Sequence, residues 1–270
     1  MIVTVVTPTL NAVGYLQECI ESARKNATRD IEIEHVIVDG GSTDGTVELA
    51  RGCGLRVLQG KDSGIFDAIN KGSFDSSGEL LGFLGADDVM LEGAAAAVVQ
   101  AYRRSGRRWV VGGIRWTDST GRSLGHLAAP PNWMTPAMLV SLGWNPIMHM
   151  GTYFSRDFFE ELGGFDITYK DSGDYEMFCR ALLKAPYDRI DRPIACFRRT
   201  GMNNSAINGS RTAREWAKIL AEHGPASNRK RAFWRLFLKL YFNLGNPGWL
   251  LAKVADSTKT TLRLQPKAHF

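Results

Sequence analysis

Two aspartates stand side by side in 82-GFLGADDVM-90, where an apolar run gives way to Gly85 and Ala86. Like charges placed there repel each other and resist burial unless something offsets them. Asp87 and Asp88 therefore mark either a solvated turn or a place where a divalent cation or a ribose hydroxyl uses both charges. Another carboxylate, Asp39, ends the apolar run in HVIVDGGSTDGT. It can accept a hydrogen bond from a base N–H, and the glycines after it let a flat ring approach the backbone. An ordinary turn that opens with Asp accounts for the same residues. The stretch is not GxGxxG, so it does not support a Rossmann dinucleotide site. In 61-KDSGIFDAINKG-72, Asp62 and Gly64 precede a helix on which Asp67 lies one turn from both Asn70 and Lys71. That pattern suits a polar site or an i, i+4 ion pair. A last acidic group, Asp171, Asp174 and Glu176, falls in 163-GGFDITYKDSGDYEMFCRAL-182. Asp174 stands at the start of a predicted helix, where the N-terminus stabilises an ionised carboxylate, and on that alone it reads as a plain N-cap.

These residues need a scaffold that gathers them. Residues 2–6, 35–38, 55–58 and 80–84 are short apolar runs that predict buried strands. Residues 15–25, 43–51, 66–74 and 91–102 predict helices, with Ser42 or Thr43 as the N-cap of the second. Repeated βα units of this kind predict an α/β fold, a mostly parallel sheet with helices on both faces. Ligands bind such sheets outside the C-terminal ends of the strands. Thr7, Thr9, Asp39, Asp62, Asp87 and Asp88 then share one edge. Further on, residues 109–117 and 123–127 flank a hairpin turn, 152–155 and 190–197 predict strands, and 156–162 and 174–184 predict helices. The expected division is a domain over 1–210, with halves 1–105 and 106–210, and a helical tail over 211–270.

Bulk properties bound the reading. At 270 residues and 44% hydrophobic, the chain suits one large domain with an appendage. Its four cysteines are scattered and form no CxxC, which predicts neither a zinc site nor a disulfide framework and makes a reducing compartment the default. Neither a signal peptide nor an apolar run of about 20 residues is read. The charge of +5 is uneven: beyond residue 210 there are twelve Lys and Arg against three acids, leaving −4 for the rest. A basic tail on a mildly acidic body calls for an anionic partner.

In order along the chain stand VVTPTLN, VDGGSTDGT, DSGIFDAINKG and LGADD. As an ordered set over residues 1–200 they resemble the inverting nucleotide-sugar glycosyltransferases of family 2, which have the GT-A fold, and look closest to bacterial members that assemble cell-surface polysaccharides. The resemblance implies that Thr7, Thr9 and Asp39 hold the nucleobase and that Asp62, Asn70 and Lys71 line the nucleotide pocket. Asp87 would face the ribose or diphosphate. Asp88 would bind a divalent metal, Mn²⁺ or Mg²⁺, bridging the two phosphates. Many relatives carry an acid or Asn where this chain has Gly85, so a metal here would lean on Asp88, the diphosphate and water. Asp174 occupies the place of the family's general base, with Asp171 and Glu176 as competitors. His149, in PIMHMGTYF, reads as a satisfied core residue or as a contact to the diphosphate or metal from the acceptor side. Arg198, Arg199 and 200-TGMNNS-205 read as a solvated loop or as one that closes over the leaving group.

The tail holds 229-RKRAFWRLFLKLYFNLG-245, which predicts one helix stopped by Gly245 and Pro247, and a second segment, 248-GWLLAKVA-255. Arg231, Arg235 and Lys239 share a stripe, and aromatic and aliphatic residues fill the rest. Such a helix suits either the surface of the domain or a membrane interface, and its aromatics are not interleaved for base stacking, so no nucleic acid is expected. The expectation is a glycosyltransferase on the cytoplasmic face of the membrane, with residues 229–255 on anionic lipid. It would move a sugar from a nucleotide-diphosphate donor to a saccharide, or lipid-linked saccharide, acceptor. Two alternatives compete. A sugar nucleotidyltransferase would carry a Gly-rich triphosphate loop near the first strand, which TPTLNA is not. A non-catalytic nucleotide-sugar or glycan-binding module would need Asp39 and Asp88 but not Asp174.

Overall fold

The computed structural model describes residues 1–200 and 209–245. Strands β1 (Ile2–Thr9), β2 (Glu32–Asp39), β3 (Arg56–Gln59) and β4 (Leu80–Phe83) run parallel in the order β3-β2-β1-β4. Their Val, Ile and Leu side chains suit a sheet buried on both faces. Helices α1 (Val13–Arg24) and α4 (Ala94–Ser105) cover one face, and α3 (Ile65–Phe74) the other. A Cβ at Gly72 of α3 would lie 2.5 Å from the Val6 side chain, so helix and strand meet at a distance only glycine permits. The short helix α2 (Thr46–Gly52) packs beside α1.

The second half extends the same sheet. Among the described residues it adds β5 (Val89–Met90), β6 (Trp109–Asp118), β7 (Ser123–Leu127), β8 (Thr152–Ser155) and β9 (Asp188–Arg199), in the order β4-β8-β6-β9-β5 with β7 on β6. Here β8 is antiparallel to both β4 and β6, while β6 and β9 are parallel. The sheet is thus parallel in its first half and mixed in its second. Helices α5 (Pro136–Ser141), α6 (Arg156–Glu161), α7 (Gly173–Lys184), α8 (Gly209–His223) and α9 (Asn228–Gly245) complete the fold. The aromatic core stacks Trp109 on Phe154 at 5.4 Å and sets Tyr187 edge-on to Trp109 at 4.9 Å.

Two helices start three residues later than expected, each for a local reason. Helix α2 is capped by neither Ser42 nor Thr43. The Ser42 hydroxyl binds Asp39 and accepts from Asn11 N, while Asp44 accepts from Thr46 N and Oγ1. Helix α4 begins at Ala94 rather than Leu91, because Leu91 N donates to Ile194 O and Gly93 then turns at φ 70°. The tail helices are also not detached. Ile219 of α8 and Leu238 and Phe242 of α9 are buried in the same core as Trp109 and Phe154. Packing therefore continues past residue 210. The segment 248–255 and residues 201–205 lie outside the described residues.

Candidate active site at the strand ends

Parallel pairing sets Thr9 of β1 beside Asp39 of β2 and Asp39 beside Gln59 of β3. Asp39 is fully buried. Its Oδ2 accepts from Thr9 Oγ1 (2.9 Å) and Ser42 Oγ (2.5 Å), and its Oδ1 from Gly41 N and Ser42 N (3.0 and 2.8 Å). Burial alone would push this carboxyl up, but the hydrogen bonds, led by those from Ser42, hold it below its ordinary value. A carboxylate has about four acceptor positions, and all four are in use. A base N–H could reach Asp39 only by displacing Ser42 or Thr9. Gly40 lies against Asp62, whose Oδ2 would be 2.8 Å from a Cβ placed there. Asp62 Oδ1 accepts from Gly64 N, so it shapes the loop that enters α3.

Asp87 and Asp88 follow the end of β4 and are held by a chain segment more than 100 residues away. Arg198 of β9 donates its backbone N to Asp88 Oδ1 at 3.0 Å and its Nε to the Asp87 carbonyl at 3.0 Å. Its guanidinium is ion-paired with Glu18 and lies over the Tyr15 ring. Arg198 is buried and acts as a brace behind the pair. Asp88 is 2% exposed. Burial raises the carboxyls of both aspartates, and for Asp88 the neighbouring Asp87 raises it further. Gly85 explains how the two fit. A Cβ there would lie 2.6 Å from Asp88 Oδ2 and 3.0 Å from Asp87 Oδ1. Both carboxylates converge on the space that a side chain at residue 85 would fill.

The opposite wall comes from α7 and from the one-turn helix His149–Gly151. Asp174 lies in the first turn of α7, whose N-cap is Ser172. Its Oδ1 accepts from Tyr175 N, and its Oδ2 faces Asn145 Nδ2 at 3.4 Å and His149 Nδ1 at 3.9 Å. Asp174 and His149 are each about one-fifth exposed. Burial disfavours the His149 cation, but Asp174 and then Asp88 and Asp87 outweigh it and raise the imidazole above its ordinary value. His149 therefore lies within the field of all three carboxylates and links the two walls.

The neighbouring acids are committed elsewhere. Asp171 is bound by Arg211 Nε and Nη2 at 2.7 and 2.6 Å, and Glu176 by Arg180 at 2.6 and 2.8 Å. Asp174 is left as the acid facing His149. Glu215 of α8 accepts from the backbone N–H groups of Lys170, Asp171 and Ser172 at 2.7, 3.0 and 2.8 Å, just before α7 begins. Sequence reasoning passed over Glu215, Arg211 and Asn145. Arg211 and Glu215 look like one more i, i+4 pair on a helix surface, and nothing marks Asn145 in GWNP.

Other expected contacts are placed differently. Thr7 has no exposed surface, and its hydroxyl hydrogen-bonds His35 Nε2 at 2.8 Å, so it cannot touch a base in this arrangement. Asn70 donates to Phe165 O and accepts from Phe165 N, both at 2.8 Å. It latches α3 to the segment before α7 rather than presenting its amide to a nucleotide. Lys71 Nζ binds Lys61 O and Asp67 at 3.1 and 3.0 Å, the i, i+4 pair read as the plainer alternative.

A parallel half-sheet whose strand ends carry this acidic pair, facing an aspartate at a helix start, is the layout of a GT-A glycosyltransferase. Residues 4–163 match the family described as glycosyl transferase family 2, and the chain belongs to that family. An uncharacterized glycosyltransferase of Mycobacterium tuberculosis is 30% identical over 185 residues, covering 67% of this chain and 69% of the relative. A PGL/p-HBAD biosynthesis glycosyltransferase of Mycobacterium bovis is 28% identical over 184 residues, covering 66% and 68%. In fold, the chain is similar to S. aureus TarS in complex with UDP-GlcNAc (TM-score 0.65, 18% identity, 87% of this chain and 70% of that one). It is also similar to the mannosyltransferase PcManGT of Pyrobaculum calidifontis in complex with GDP-Man and Mn²⁺ (TM-score 0.61, 21% identity, 96% and 75%).

Proposed function

We propose that this glycosyltransferase transfers a sugar, with inversion, from a nucleotide-diphosphate sugar to a saccharide carried on a lipid, at the cytoplasmic face of the cell membrane. The observation that carries the reading is the convergence of two mutually repelling carboxylates, the buried Asp88 and the half-buried Asp87, over Gly85, opposite His149 and Asp174. A diphosphate needs a counter-charge, and an acidic pair raised by desolvation favours a cation. Asp88, with Asp87, fits a divalent metal that takes one or two carboxylates and completes its shell with phosphate and water. Among the described residues no group of three or more His, Cys, Asp or Glu could hold a metal. Such an ion would supply charge neutralisation on the leaving diphosphate. Asp39, Ser42 and Thr9 form the wall for the base, and Asp62 shapes the loop beside it.

Asp174 takes the proton of the acceptor hydroxyl as that oxygen attacks the anomeric carbon. The bond from that carbon to the diphosphate oxygen breaks on the opposite side, and the electron pair leaves with the nucleoside diphosphate. His149, 3.9 Å from Asp174 and in the field of Asp87 and Asp88, positions the base. The relatives named for PGL/p-HBAD biosynthesis support a biosynthetic role, and the basic balance beyond residue 210 supports the lipid-linked acceptor and the location.

The test is a panel of nucleotide sugars with Mn²⁺ or Mg²⁺, read first as thermal stabilisation and then as transfer. NMR of the product gives the anomeric configuration. Stabilisation by a donor only with metal, and an inverted product, are expected. Metal-independent donor binding overturns the metal assignment, and retention overturns Asp174 as base.

A further inference from the structure

Helix α9 is apolar on two opposite faces. Leu238 and Phe242 are buried, Trp234 packs partly into the core beside them, and the Phe242 ring meets Trp144 at 5.4 Å. Phe233, Leu236, Phe237, Leu240 and Leu244 occupy the other face at helical spacing and are exposed, Leu236 to 64% and Leu244 to 80%. Trp133, itself 46% exposed, reaches the same patch from the domain, with its ring 6.3 Å from Phe237 and 5.8 Å from Tyr241. Single exposed apolar side chains are ordinary, but a contiguous face of this kind marks an interaction surface. The helix also carries Arg229, Lys230, Arg231, Arg235 and Lys239, and residues 224–245 contain no acid.

We infer that this outward face of α9, with Trp133, docks on an anionic membrane surface, with the helix lying in the interface plane. The sequence reading put one basic stripe against one broad apolar remainder. Folding divides that remainder, so the helix grips the domain with one face and offers the other. Charge chooses the occupant. A second copy meeting the same face across a two-fold axis would bring five cations against five with no acid on the helix to offset them. An anionic lipid headgroup layer supplies the missing charge, and acyl chains accept the apolar side chains. No helix among the described residues is long and apolar enough to cross a membrane.

This surface deepens the proposed lipid-linked acceptor, but its test needs no transfer reaction. The full chain is sedimented with phosphatidylcholine vesicles, with and without phosphatidylglycerol. Binding to the anionic vesicles only is expected, weakening as salt rises. Leu236→Glu with Leu240→Glu should weaken binding about tenfold or more per residue. Arg235→Gln with Lys239→Gln should weaken it about fivefold per cation. All four side chains are exposed, so melting temperature and donor binding should stay unchanged. Equal binding to neutral vesicles, or unchanged binding by the Glu variant, overturns the inference. A lipid-free dimer that the Glu variant dissolves assigns the face to a second copy instead. A lowered melting temperature in the Glu variant means the chain after residue 245 already covers the face. A protein that binds vesicles through this face but transfers no sugar leaves the surface standing and removes the functional reading.

Discussion

The two walls of the site are built on opposite terms. On the strand-end side, Asp88 is buried beside a half-buried Asp87, and burial holds the protons of both up. On the helix side, Asp171 is equally buried yet grips Arg211, and Glu215 receives three backbone N–H groups. One wall is a stored charge conflict, and the other is a satisfied frame that leaves a single acid, Asp174, facing the site. The contrast separates residues that wait for a ligand from residues that hold others in place. A buried acid that is already paired is structural, and a buried acid that is raised by a like charge is poised for a cation.

The hardest break of this contrast is at Asp174. Asp174→Asn keeps the shape but removes the proposed base, and should lower turnover about 10²–10⁴-fold while donor binding persists. Single-turnover transfer beside donor calorimetry checks it, and near-normal turnover would hand the base role to another group. Asp88→Asn should abolish metal-dependent donor binding and yet stabilise the metal-free protein by about 1–3 kcal/mol. The sign follows from the raised carboxyl. A folded-state value above the unfolded one favours folding when protonated, and that stability is lost as pH rises through the folded value. Thermal melts of the metal-free wild type should therefore rise on moderate acidification, and the Asn variant should flatten this dependence.

Asp39→Ala should loosen the turn at residues 39–42, because all of its acceptor positions are filled by that turn and by Thr9, and should weaken donor binding indirectly, through misplaced Ser42 and Thr9, by about 1–3 kcal/mol. Calorimetry with the free nucleoside diphosphate measures the first, and an unaffected affinity would leave Asp39 as a turn former only. The smallest effect belongs to the frame. Glu215→Gln removes one carboxylate oxygen from a three-donor clasp and should cost about 1–3 kcal/mol of stability. Turnover should fall with little change in donor affinity. A matching loss of donor affinity would place Glu215 in the binding wall rather than behind the base.

The amino-acid sequence by itself determined the parallel half-sheet and the cluster at its edge. Short β-branched runs, helical spacing and turn residues act within about ten positions, so β1, β2, α3, Asp39 and the Asp87–Asp88 pair are all legible as local patterns. The start of α2 was not, because Ser42 serves Asp39 rather than the helix. Nor were the duties of Thr7 and Asn70, whose partners His35 and Phe165 lie 28 and 95 positions away. Only the tertiary structure decided that Arg198 braces the acidic pair, that Glu215 frames the start of α7, and that α9 has one face in the core and one outside. Those assignments depend on which polar atoms meet when distant segments pack, and burial turns each such meeting into a large energetic difference that no short stretch of sequence encodes.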